Sequence, residues 1–128
     1  MKKVGHLVDD PAMCIVRVRE GKRVSGRLGE LVRPIAPETL HEYRLPANSD
    51  VELHYHDMDE YWLFTSGRPH VTLETPSGVR KEFDLGPGDM VACVRGVAHT
   101  LRADHELVYF QFCSVPEGGE RQGHLTRR

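Results

Sequence analysis

Cysteine is scarce in this chain: there are three in 128 residues, at positions 14, 93 and 113, with no C-x-x-C pair. An odd and widely spaced set argues against a disulfide framework and supplies too few thiolates for a zinc-thiolate site. Small buried strand residues are the expectation for all three. Long apolar runs are missing as well, since none approaches the roughly 20 residues that span a bilayer. The opening residues Met1-Lys2-Lys3-Val4-Gly5-His6 have no apolar stretch behind their lysines. Neither a secretory leader nor a membrane partner is therefore expected, and the expected location is cytoplasmic. No stretch shows a capped helical period. No basic helix or basic stripe interleaved with aromatics is present, which sets nucleic acid aside as a partner.

The charge that is present is unevenly spread. Residues 1–33 carry eight Lys or Arg against four Asp or Glu, whereas residues 34–113 carry six against thirteen. An acidic centre that also holds most of the eight histidines suits a cation better than a polyanion. Around it the pattern is one of short alternating segments, expected as strands near 13–19, 40–45, 51–56, 60–65, 69–75, 79–84, 90–94, 98–103 and 107–113. Turn residues punctuate them at Pro46-Ala47-Asn48-Ser49, Ser66-Gly67, Pro76-Ser77-Gly78, Gly86-Pro87-Gly88-Asp89 and Arg95-Gly96. Regular spacing of this kind predicts one all-β barrel or sandwich. Its parts would be an N-terminal strand and arm over 1–38, a barrel core over 40–113 and a fraying tail over 114–128. Within the arm, the Gly-, Pro- and Arg-rich stretch 21–37 reads as a surface loop with at most a short strand near Leu31–Val32.

The chemistry concentrates in His54-Tyr55-His56-Asp57-Met58-Asp59-Glu60 and, further on, His99. Residues two apart on a strand share a face with Cα atoms roughly 6–7 Å apart, so His54 and His56 converge. Asp57, Met58 and Asp59 form a tight, solvated reversal that lets Glu60 begin the next strand beside them. The glycines before His99 place it at the start of another strand. Three imidazoles and one carboxylate suit a divalent transition metal, one per chain, among Fe, Mn, Ni, Co and Zn. Trp62 and Phe64 share Glu60's parity and would wall the pocket. Arg33, Arg44, Arg102 and Gln111 would meet a substrate if their strands point them inward. Tyr61 and Tyr109 are the candidate catalytic bases, and no separate organic cofactor is indicated. His6, His41, His70, His105 and His124 are read as ordinary packed or surface histidines.

These residues carry a resemblance to the cupin superfamily. Its first motif, G-x5-H-x-H-x3-E-x6-G, is matched from Asn48 through His54, His56 and Glu60 to Gly67, with Asn in the first glycine's place. Its second, G-x5-P-x-G-x2-H-x3-N, is matched by Gly88, Gly96 and His99, with Val94 and Ala103 in place of Pro and Asn. The resemblance implies a double-stranded β-helix (jelly-roll-like) barrel around a metal held by His54, His56, Glu60 and His99. It further implies a metal-dependent enzyme of the dioxygenase kind acting on a small oxygenated molecule, a keto acid, phenol or sugar derivative. The alternatives are a metal-dependent isomerase or lyase, or a barrel that binds a small molecule such as a sugar without turnover. A homodimer is expected.

Overall fold

The computed structural model describes residues 8–21, 26–115 and 125–127. The chain enters through a 3-10 turn at Pro11–Cys14, whose Asp10 cap accepts a hydrogen bond from the Ala12 N–H at 2.9 Å. Strand β1 (Ile15–Arg17) follows, then a second 3-10 turn and the short helix α1 (Gly26–Leu31). Seven further strands complete the sequence: β2 (Ile35–Leu45), β3 (Glu60–Ser66), β4 (His70–Glu74), β5 (Arg80–Asp84), β6 (Asp89–Cys93), β7 (Ala98–Arg102) and β8 (Leu107–Ser114).

All pairings are antiparallel, in two sheets ordered β1-β6-β3-β8-β2 and β5-β4-β7. The sheets face each other across one core. Trp62 and Phe64 of the larger sheet and Val71, Leu73 and Leu101 of the smaller one are all at most 3% exposed. Each such side chain removed from water contributes roughly 1.5–3 kcal/mol, which makes this seam the main source of stability. The barrel expected from the alternating pattern is therefore present.

Several local expectations are corrected. The stretch 51–56 forms no ladder of its own; it holds only two isolated bridges, His54 to His99 and Tyr55 to Leu125. β2 starts at Ile35, well inside what was read as the arm. Residues near Leu31 are helical rather than extended, because Leu28 and Leu31 sit three apart and are 0% and 8% exposed. At six residues with two glycines, α1 is too short to show a period, and tertiary burial sets it. The tail does not simply fray: Leu125 and Tyr55 exchange both backbone hydrogen bonds, at 2.8 and 3.0 Å, and the Arg127 guanidinium lies 3.9 Å from the centre of the Tyr55 ring. His6, His124 and the rest of the expected tail lie outside the described residues.

Asn48 is the one described non-glycine residue with positive φ, at 58°. Asn tolerates that region better than other side chains, which explains how it stands in for a glycine. At Gly88 (φ 90°) a side chain is excluded twice over, since a Cβ would fall 2.4 Å from the stem of Arg19.

On the outer face of the small sheet, His70 Nε2 bonds to Glu82 and Nδ1 to Asp84 at 2.8 Å. Those two carboxylates hold the imidazole pKa above its ordinary value. A raised folded-state pKa stabilises fully below the unfolded value, about 6.5, and the gain is lost as pH rises through the folded pKa. His70→Gln is expected to remove this component, so that the difference in Tm from wild type shrinks between pH 5 and pH 9 in a thermal-denaturation series.

Candidate metal centre

The four residues singled out by spacing meet in one place. His54, His56, Glu60 and His99 are all buried, and one donor atom from each lies within 4.8 Å of the others. The imidazole centres are 4.9 Å (His54–His56), 4.5 Å (His54–His99) and 5.2 Å (His56–His99) apart. His56 Nε2 stands 3.4 Å from Glu60 Oε1, and His99 Nε2 stands 3.7 Å from Glu60 Oε2.

The backbone explains the convergence. His54 N–H donates to the His99 carbonyl at 3.2 Å, and His99 N–H returns the bond at 2.7 Å. Gly96 N–H donates to the His56 carbonyl at 3.0 Å. Glu60 opens β3 opposite Cys93 and Cys113, so its carboxylate enters from the facing sheet.

Contacts behind the four set their chemistry. His54 Nδ1 donates to the Glu52 carbonyl at 2.6 Å, and His99 Nδ1 to the Val97 carbonyl at 3.1 Å. A carbonyl only accepts, so each Nδ1 carries a hydrogen and the neutral ring keeps its lone pair on Nε2. Trp62 Nε1–H donates to Glu60 Oε2 at 2.9 Å, orienting the carboxylate, and its ring meets His99 edge-on at 5.1 Å and 90°. Three imidazoles, two of them with the lone pair on Nε2, and one oriented carboxylate, converging in a buried space, fit a divalent transition ion.

A second cluster lies just behind. Asp59, fully buried, accepts from Arg95 Nη1 at 2.6 Å, from the Arg95 backbone N–H at 3.0 Å and from the Arg33 N–H at 2.7 Å. Arg95 Nη2 donates to the Leu31 carbonyl at 2.8 Å. Asp59 N–H donates to Ser114 Oγ, and Ser114 N–H to the Asp59 carbonyl, both at 2.8 Å. The reading of Asp57 and Asp59 as solvated turn residues is thereby corrected, as both are buried. Sequence offers one signal for the pair: Asp59 precedes a ligand, and Arg95 sits four residues before another.

The remaining candidates divide by face. Trp62, Phe64, Gln111 and Tyr109 share Glu60's side of the large sheet. Tyr61 does not; it points to the opposite face and stacks on Phe112 at 4.8 Å. Arg44 is exposed and paired with Glu106 at 3.2 Å, and Arg102 is exposed on the outer side of β7. Arg33 enters only through its backbone. Burial, with the nearby Glu60 charge, pushes the Tyr109 hydroxyl up to about 12. Burial also raises the thiols of Cys14, to about 12, and of Cys93, and none of the three cysteines is in a disulfide.

Arg95→Met is expected to destabilise the protein by about 3–5 kcal/mol in urea denaturation, because it strands the Asp59 charge in the interior. Adding Asp59→Asn should recover part of that loss. An unchanged midpoint in Arg95→Met would show that the pair carries no weight.

Residues 41–115 match the cupin domain family. Among curated proteins, the chain is 35% identical over 83 residues to the uncharacterized protein y4oW of Sinorhizobium fredii. That match takes in 62% of this chain and 35% of y4oW, so the chain spans about a third of the relative. Among solved structures it is similar to Lactobacillus farciminis oxalate decarboxylase in its formate complex, with TM-score 0.54, 18% identity and coverage of 61% of this chain and 24% of that one. A conserved protein of unknown function from Streptococcus pyogenes, SPY1581, aligns with TM-score 0.52, 17% identity and coverage of 61% and 64%. Streptomyces albus HEPD with 2-hydroxyethylphosphonate and Fe(II) bound aligns with TM-score 0.51, 18% identity and coverage of 63% and 19%. At these identities the structural likeness speaks for the fold. With the family match spanning more than half its length, this chain belongs to the cupin domain family.

Proposed function

We propose that this protein is a metal-dependent cupin enzyme that acts on a small oxygenated molecule, with dioxygenation as the reaction. The observation that carries this reading is the donor set: His54, His56, Glu60 and His99 within 4.8 Å of one another, buried on the inner face of the barrel. Four protein donors leave two positions of an octahedral ion for exogenous ligands. A bound divalent ion there supplies a Lewis acid for a chelating oxygen and, if it is iron, the means of activating O2. The protein's own residues hold this arrangement. Glu52 and Val97 carbonyls fix two imidazole tautomers, Trp62 fixes Glu60, and the walls of Trp62, Phe64 and Leu101 exclude water.

Of the two tyrosines named as candidate bases for an isomerase or lyase, Tyr61 points away from the donor group. Elemental analysis of the purified protein is expected to give near-stoichiometric Fe, Mn, Ni, Co or Zn, with His54→Ala/His99→Ala losing it. Iron-loaded protein should consume O2 with a fitting substrate and cease to do so when zinc replaces iron. Metal-free protein after anaerobic reconstitution would overturn the reading.

The homodimer also belongs to this proposal. Among the described residues β2 is an edge strand of 11 residues, with Ile35 and Leu40 47% and 53% exposed. An open edge of that length favours pairing with another strand. Sedimentation is expected to return twice the chain mass; a value of 14.5 kDa would show a monomer.

A further inference from the structure

The outer face of the small sheet carries a cleft that the donor group does not use. Register sets His70 of β4 opposite Arg102 of β7, and Thr72 opposite Thr100, on the face turned away from Val71 and Leu73. The segment 48–51 runs beside β7 and closes that row. Asn48 N–H donates to the Ala103 carbonyl at 2.9 Å, and Thr100 Oγ1 donates to the Val51 carbonyl at 2.5 Å. A further rim comes from Arg68, whose backbone N–H donates to His105 Nε2 at 2.9 Å, while His105 Nδ1 donates to Asp104 at 2.6 Å. The cleft holds about 610 Å³ and meets a narrower recess of about 150 Å³ floored by Thr72, Thr100 and Leu101. Small-molecule sites run to roughly 300–1,000 Å³, so the space suits a metabolite.

The charges of this cleft divide into those already partnered and those that are not. His70 is engaged by Asp84 and Glu82, both on β5, across β4 from Arg102. Glu82 is held low chiefly by His70, with Arg102 a lesser cause. Asp104 is engaged by His105. Asp50, Arg68 and Arg102 remain, and among the described residues none of the three has an oppositely charged side chain within 4.0 Å. Arg17, Arg44, Arg80, Lys81 and Arg95, by contrast, each hold a carboxylate within 3.2 Å. Two guanidiniums and one carboxylate thus face one space without neutralising each other. No Phe, Tyr or Trp lines the cleft or its recess, so neither offers a platform for stacking a sugar or an arene.

We propose that this outer cleft is a second binding site, which takes a small acidic amino acid of the aspartate or glutamate kind through Arg68, Arg102 and Asp50. Such a molecule carries two carboxylates and one ammonium, the complement of the three unpartnered groups. The guanidinium forks match the carboxylates, and Asp50 takes the ammonium. Exposed ion pairs contribute little one at a time, so the three together give roughly millimolar affinity that weakens with salt. The site stands apart from the barrel interior and does not depend on a metal there.

Titration of the full-length protein with glutamate, with glutarate (the same carboxylates and no ammonium) and with inorganic phosphate, followed by backbone amide NMR shifts at low ionic strength, tests this. Glutamate is expected to saturate, with shifts centred on residues 48–50, 68–70 and 100–104, and to bind roughly fivefold or more tightly than glutarate. Asp50→Asn should bring those two affinities together, and Arg102→Gln should weaken both roughly tenfold. All three side chains are exposed, so unchanged thermal midpoints should accompany these losses. Phosphate binding as tightly as glutamate would reduce the cleft to a plain anion patch and overturn the proposal. So would a glutamate-to-glutarate ratio unmoved by Asp50→Asn, an absence of saturable binding, or shifts centred on residues 54–56 and 99, which would put the ligand at the donor group instead.

Discussion

The buried ion pair between Asp59 and Arg95 is the constraint on which the rest of the site depends. It joins the reversal between His56 and Glu60 to the turn that leads into His99, two segments that no ladder pairs directly. The same carboxylate takes the Arg33 N–H, and the same guanidinium takes the Leu31 carbonyl, so α1 and the following residues are drawn in as well. Desolvating two charges is costly, and the pair is tolerated because the Arg33 N–H, the Arg95 N–H and the Leu31 carbonyl surround it with hydrogen bonds. Its contribution is chiefly positional: the four donor atoms sit on separate segments, and shared anchoring behind them keeps those segments in one relative arrangement.

Much of this was legible in the sequence, because period and spacing are local properties. Val71 and Leu73, or Trp62 and Phe64, declare a half-buried strand by alternation alone. His54, His56 and Glu60 declare a shared face by their separation. What was not legible was set by partners remote in sequence. Leu28 and Leu31 are helical because the barrel buries them, and six residues cannot announce that. Asp59 looked like a turn residue until Arg95, 36 positions on, was found against it. The faces of Tyr61, Arg44 and Arg102 required strand register, since a one-residue slip turns every side chain to the other side.

The centre combines two opposing demands. Its donor atoms are shut away from water, which sharpens electrostatic interactions within it. Tyr43 on the outer strand β2, by contrast, is 41% exposed. Glu60 comes from the central strand β3, whereas His99 comes from β7 at the edge of the smaller sheet and His54 and His56 from the bridged segment beside it. Oxalate decarboxylase and HEPD share this fold with the present chain. What separates one such barrel from another is the side chains that stand between the opening and the centre.

The exchange of backbone hydrogen bonds between Tyr55 and Leu125 has a kinetic consequence. Tyr55 lies between two of the donor residues, and its partner comes from far along the chain. His99 is likewise remote from His54, which it pairs. Contacts between residues so distant in sequence close late in folding, because long loops must be ordered before such contacts add stability. The donor group therefore carries the loop-closure cost of joining segments that are far apart in the chain. During synthesis the group cannot be complete until His99 has left the ribosome, and until then the nascent chain presents its other donors to passing ions as an incomplete set.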